Sequence, residues 1–298
     1  YTNELFRQEL SGNTLSLHYT LKNPDTYHIM DTPVSLGSYQ TDASYVCASL
    51  ENSLSLLHSY DKSKLSENHQ ITYEILEAHL TSSLRESQYL LYEEPLAPLT
   101  GTQAQLPVLL SEYQFYKKQD IDTYLALLGE IPEYFASILT FEEEKAKQGL
   151  FMSLSQADAI IEECETFINL QENNYLYSSF SERIQSLYLS PKITDAYIEK
   201  NSDCIKQYVI PAYEQLKQGI TSLRETGTNS GGLCHLPKGI PYYELIVATE
   251  TGSSRSIPEL QQLTKKQIKE DLFSIQKTLS DISDDQPSPS SDFFKSQG

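Results

Sequence analysis

Apolar residues recur every three or four positions along most of this chain, and that spacing commits it to helices. The clearest run lies between Ile193 and Leu223, where Ile205, Val209, Ala212, Tyr213, Leu216 and Ile220 share one helical face. Pro211 falls inside the run, has no N–H to donate and is expected to kink the helix. Val46, Leu50, Leu54 and Leu57 mark a helix within 41–58. Ile71, Ile75, Leu80 and Leu84 are expected to face inward from a longer one over 66–91. Leu109, Leu110 and Tyr113 mark a helical piece over 106–116. Asp120 is placed to cap a short helix holding Tyr124, Leu125 and Leu128. Pro132 then suits the first turn of a successor, and Gly149 a position just past its end.

Ser153 with Gln156 forms a capping box for a helix carrying Ile160, Cys164 and Phe167, and Ser256 with Glu259 repeats the pattern before a last helix running to Leu279. Strand-like alternation occurs once, at Leu15, Leu17, Tyr19 and Leu21, where a short helix or an extended lead-in fits equally well. Five of the twelve glycines crowd into 227–252, a region expected to be irregular with room for a short hairpin. The expected fold class is therefore all-α. It comprises one multi-helix domain over residues 1–279, a sub-boundary at the Pro- and Gly-bearing connection 92–105, and a Ser-, Asp- and Pro-rich tail or severed linker over 280–298.

Forty-one acidic against 22 basic residues give a net charge of -19. Such a surface repels phosphate backbones, so no nucleic-acid partner is expected, and it offers no basic patch to anionic lipid. No stretch reaches the ~18 apolar residues of a membrane span, so no transmembrane segment is expected. The charge run Glu142, Glu143, Glu144 and Lys145 is most simply a solvated face with i,i+3 pairing. Cys47, Cys164, Cys204 and Cys234 are too scattered for a zinc module, and whether any of them pair is not readable from spacing. Cys164, on an apolar stripe, reads as a packed thiol.

The search for catalytic motifs is mostly negative. None of the six histidines stands four residues from another, and His-Glu does not occur, so no metal ligand set is predicted in this segment. Gly227 and Gly232 have the internal spacing of a phosphate-binding loop, but Leu233 and Cys234 stand where Lys and Ser or Thr are needed. No Gly-x-Ser-x-Gly elbow is present, and no catalytic residue is assigned.

Four stretches in order carry a family resemblance. They are Leu17 to Pro24, Asp120 to Leu125 with Ile131-Pro132, Val209 to Tyr213, and Pro237 to Tyr243 followed by Thr249 to Thr251 and Ile257 to Leu260. Together they resemble the bacterial family known as domain of unknown function 885, over most of residues 1–275. The resemblance implies a helical, zincin-like metallopeptidase, often secreted or lipid-anchored. Its proposed metal site uses His-Glu and Pro-Gly-His motifs lying downstream of the matched region. By that resemblance this chain is an N-terminal part that forms one wall of the substrate cleft of a carboxypeptidase-like enzyme. Zinc and the catalytic half are expected beyond it, and the expected partners are that C-terminal half and a peptide substrate. Tyr242, Tyr243 and Arg255 are then candidate substrate-binding residues, while packing between helices is the simpler and favoured reading of the two tyrosines. The alternative is a non-catalytic helical surface protein that binds a peptide or protein partner. The expected location is extracellular or at the cell surface.

Overall fold

The computed structural model describes residues 1–30, 32–227, 229 and 231–283. Among them every regular element is helical and no strand occurs, so the chain is all-α. It divides into two compact units, Tyr1–Gly239 and Ile240–Gly298. In the first, α1 (Thr2–Ser11), α2 (Thr14–Thr20), α3 (Ala43–His58) and α4 (Glu67–Glu86) precede a connection that leads to α5 (Thr102–Glu112). Then come α6 (Lys118–Lys147), α7 (Leu154–Asn169), α8 (Tyr175–Ile184), α9 (Pro191–Cys204) and α10 (Ile210–Leu223). The second unit holds α11 (Gly239–Thr251) and α12 (Ile257–Ser283).

Helix α6 is the axis of the first unit. Ile121, Tyr124, Leu128, Ile131, Phe135 and Ile138 lie along it, all buried, and α9, α10 and the turn between them pack against it. The expected break before Pro132 does not occur: α6 runs unbroken for 30 residues with that proline inside. An interior proline costs a helix about 3 kcal/mol, and burial of the surrounding Ile, Leu and Phe side chains offsets it at roughly 1.5–3 kcal/mol each.

Pro211 is accommodated differently. The residues before it, Ile205–Val209, form a π turn in which the Ile210 N–H reaches back five residues to the Ile205 carbonyl. The widened turn leaves room for the proline ring beside the preceding carbonyls, so the irregularity at Pro211 takes the form of a π segment between α9 and α10. The Ser153–Gln156 capping box forms in both directions. The alternating Leu15–Leu21 segment resolves as α2.

Two expectations about helix faces and the Gly-rich region are overturned. In α4 the inward face is Tyr73 and Leu80, which pack with Leu57 of α3, while Ile71 and Ile75 are 57% and 63% exposed. Tyr73 and Leu80, seven residues apart, share the face that meets α3, and the isoleucines fall outside it. The region 227–252 holds no hairpin among its described residues, but a 3-10 turn at Leu233–His235 and then α11. Its glycines permit close backbone approach: a Cβ at Gly227 would fall 2.0 Å from the Met152 carbonyl oxygen. The connection 92–105 lies inside the first unit. Helix α12 continues through residues 280–283, and the rest of the expected tail, 284–298, lies outside the described residues.

Candidate functional site

Three features of the first unit combine polar groups with apolar surroundings in ways that bear on function. The deepest is ionic. Glu142 and Lys145, one helical turn apart on α6, are both 0% exposed, so the solvated face expected of this charge run is only half present. The α6 stripe that buries Phe135 and Ile138 carries round to Glu142 and Lys145, beneath the connection at Glu93 and Glu94. Lys145 Nζ donates to the Glu93 carbonyl at 2.9 Å and lies 3.3 Å from Glu94 Oε2 and 3.5 Å from Glu142 Oε1. Glu142 Oε2 has no hydrogen-bond partner. Burial pushes the Glu142 carboxyl up to about 7, the Glu94 carboxylate adds to the shift, and Lys145 opposes it. Burial raises Glu93 and Glu94 as well.

The second feature is a groove of about 420 Å³ with Gln103 on one side and Glu162, Glu163, Phe167 and Tyr175 on the other. The Glu163 carboxylate is fixed by two donors, the Leu99 N–H at 2.9 Å and Gln103 Nε2 at 2.8 Å. Leu99 holds a φ of 66°, a left-handed conformation that costs a residue bearing a Cβ. Behind it Phe167 stacks on Tyr213 at 4.2 Å, and the Tyr213 hydroxyl donates to the Gln103 carbonyl at 2.7 Å. The arrangement presents aromatic faces beside an oriented negative charge.

The third is a groove of about 340 Å³ between α2 and α5, with Tyr134 of α6 at its side. Asn13, Ser16 and Tyr19 face Thr102, Gln105 and Leu109 across it, so its polar lining carries no formal charge. The Tyr19 hydroxyl donates to the Leu109 carbonyl at 2.6 Å, and burial pushes it up to about 12.

The residues singled out in the sequence lie in the second unit. Tyr242 and Tyr243 sit on α11, Tyr242 half-buried and Tyr243 exposed. Adjacent helical positions are about 100° apart, so the two rings leave the helix in different directions and do not form one aromatic face. Arg255 is exposed on the connection to α12, where its N–H donates to Ser253 Oγ at 3.2 Å. The four cysteines are all unpaired, and burial pushes the Cys164 thiol up to about 12. Among the described residues no group of three or more His, Cys, Asp or Glu side chains is placed to hold a metal ion, so those residues do not fit a zinc site. No described helix is long and apolar enough to cross a membrane.

Comparison with known proteins agrees with this helical architecture. Residues 39–295 match the model of a family described as bacterial protein of unknown function, DUF885. The chain belongs to that family. A crystal structure of a "putative lipoprotein" from Colwellia psychrerythraea has the same fold, with a TM-score of 0.73 at 17% sequence identity. The alignment covers 87% of this chain but 47% of the other, so this chain spans about half the length of that relative. No curated protein matches the sequence.

Proposed function

We propose that this chain is the N-terminal helical part of a zinc-dependent, carboxypeptidase-like peptidase and builds one wall of its substrate cleft. The observation that carries the reading is the shared fold with a protein of which this chain spans only 47%. Family membership over residues 39–295 supports it. So does α12, along which Ile268, Leu272, Ile275 and Leu279 form an exposed apolar stripe. A helix of this kind gains stability by burying that stripe, and the remainder of a longer polypeptide is the natural cover.

In this reading zinc and the reacting groups belong to that remainder, and no step of metal chemistry is assigned to any residue here. Zinc would supply Lewis-acid polarisation of the peptide carbonyl and an activated water. Tyr243 and Arg255, both exposed, would meet the peptide, with Tyr242 beside them, and Arg255 is suited to pairing with a terminal carboxylate. The description of the Colwellia protein supports a surface location with a lipid anchor.

The test uses the full-length protein that contains this chain. Zinc content is measured by metal analysis and hydrolysis followed on peptides with free and amidated C-termini. Stoichiometric zinc, cleavage, and a raised KM with unchanged kcat in Tyr243→Phe and Arg255→Ala are expected. A full-length protein that binds peptide but neither holds zinc nor cleaves would replace this reading with that of a non-catalytic peptide-binding module. Unchanged kinetics in both variants would remove these residues from the cleft.

A further inference from the structure

We infer that His18 is a pH-sensitive latch that fastens α2 to the C-terminal end of α5 and closes one wall of the groove between them. The inference goes beyond the peptidase reading and does not depend on it. It rests on the direction of one hydrogen bond. The Gln114 backbone N–H donates to His18 Nε2 at 3.2 Å. An imidazole can accept there only when it is neutral, with its proton on Nδ1. Protonation of Nε2 sets two donors against each other and breaks the bond.

The same ring is held on its face. His18 stacks on Tyr113 with centroids 3.7 Å apart and planes 12° from parallel. Two consecutive residues, Tyr113 and Gln114, thus grip the imidazole by face and by edge. A second clasp joins the same elements one residue away, where the Tyr19 hydroxyl donates to the Leu109 carbonyl. Asn13 and Ser16 line the groove from the same helix, so release of His18 loosens the wall that they form.

The ionisable surroundings favour the neutral ring at ordinary pH. Tyr19 lies on α2 itself, Glu112 and Tyr113 at the end of α5, Tyr116 and Asp120 on the approach to and first turn of α6, and Arg183 on α8. Burial lowers the affinity of His18 for a second proton below the usual imidazole value. Asp120 opposes the shift, and Arg183 adds to it. Asp120 is occupied elsewhere: its Oδ2 accepts from the Tyr116 and Lys117 N–H groups at the start of α6. Arg183 donates to the Tyr113 carbonyl and lies over the Phe115 and Tyr124 rings at 4.9 and 5.2 Å, so a fixed positive charge stands behind the stack. The latch is therefore closed at neutral pH and opens only when the pH falls below the usual imidazole range, because burial holds the ring neutral.

Nitrogen-15 NMR of the histidine rings and amide hydrogen exchange, expressed as protection relative to the unfolded chain, test this directly. Expected at pH 7.5 is an Nδ1–H tautomer for His18. The protection of Gln114 should fall about tenfold as His18 titrates, the worth of one backbone hydrogen bond, while Leu110 in α5 keeps its protection. In His18→Phe, which retains the stack but cannot accept, Gln114 should be weakly protected throughout the pH range. An Nε2–H tautomer at neutral pH, or Gln114 protection that is unchanged across the His18 titration observed in the same spectra, overturns the latch. So does wild-type protection in His18→Phe. Should that variant not fold, the tautomer and the wild-type titration decide alone.

Discussion

Replacing Glu142 by Gln should remove a pH dependence from the stability of this protein. Gln has the shape of the protonated acid and never ionises. In the wild-type protein the Glu142 carboxyl is buried beside Lys145 and rises from an ordinary 4.5 to about 7. The folded state therefore holds this proton more tightly than the unfolded chain does. Stability from this group is complete below pH 4.5, fades between 4.5 and 7, and is gone by pH 8. Each tenfold change in proton affinity is worth about 1.4 kcal/mol, so the whole effect amounts to about 3 kcal/mol.

Urea unfolding at intervals from pH 5 to 8, on wild type and Glu142→Gln, isolates the group. Glu93 and Glu94 titrate in both proteins, and most of their contribution cancels in the difference. At pH 5 the two proteins should lie within about 1 kcal/mol of each other. By pH 8 the variant should have gained at least about 2 kcal/mol relative to wild type. Lys145 keeps its bond to the Glu93 carbonyl and its pairing with Glu94 in either case. A difference that is flat with pH would refute the reasoning. So would a variant less stable than wild type by several kcal/mol at pH 8, because the ionised Glu142–Lys145 pair would then be net stabilising.

Three further outcomes follow from geometry. Gly227→Ala should lower stability by about 2 kcal/mol or more in thermal unfolding, because its Cβ would overlap the backbone oxygen of Met152, which cannot swing aside as a side chain can. Pro132→Ala should raise stability by roughly 1–3 kcal/mol in urea, since it restores an N–H to the interior of α6 without altering the buried stripe; a loss would show that the ring itself is packed. Iodoacetamide at pH 8 should modify exposed Cys234 well before Cys164, whose thiol is buried and pushed up to about 12; mass spectrometry finding Cys164 labelled first would contradict the core placement.

The helical class and much of the core were legible because period and capping are local. Ile205, Val209, Leu216 and Ile220 announce a buried stripe by spacing alone, and Ser153 with Gln156 marks a helix start that the backbone then obeys. Leu57, Leu80 and Cys164 were placed in the interior for the same reason.

What failed depended on neighbours distant in sequence. Ile71 and Ile75 carry the periodic signal on α4, yet Tyr73 faces Leu57 and wins the interior, because the partner surface on α3 decides which face is covered. Pro132 reads as a helix start until Ile131 and Phe135 on either side of it are seen to be buried in the core that α10 packs against.

The ionic and histidine features show the same division. Glu142 and Lys145 have the composition and spacing of a surface pair. Only the connection at Glu93 and Glu94, folded over α6 from about 50 residues away, strips them of water and raises the carboxyl. His18 stands in the Leu17 to Pro24 stretch, where nothing local marks its protonation state. Its neutral tautomer is imposed by an N–H that lies 96 residues further along the chain. Local pattern determines where this chain is helical and which residues are apolar enough to be buried. Tertiary contact alone decides which charges lose their solvent, because desolvation depends on what the rest of the chain lays over them.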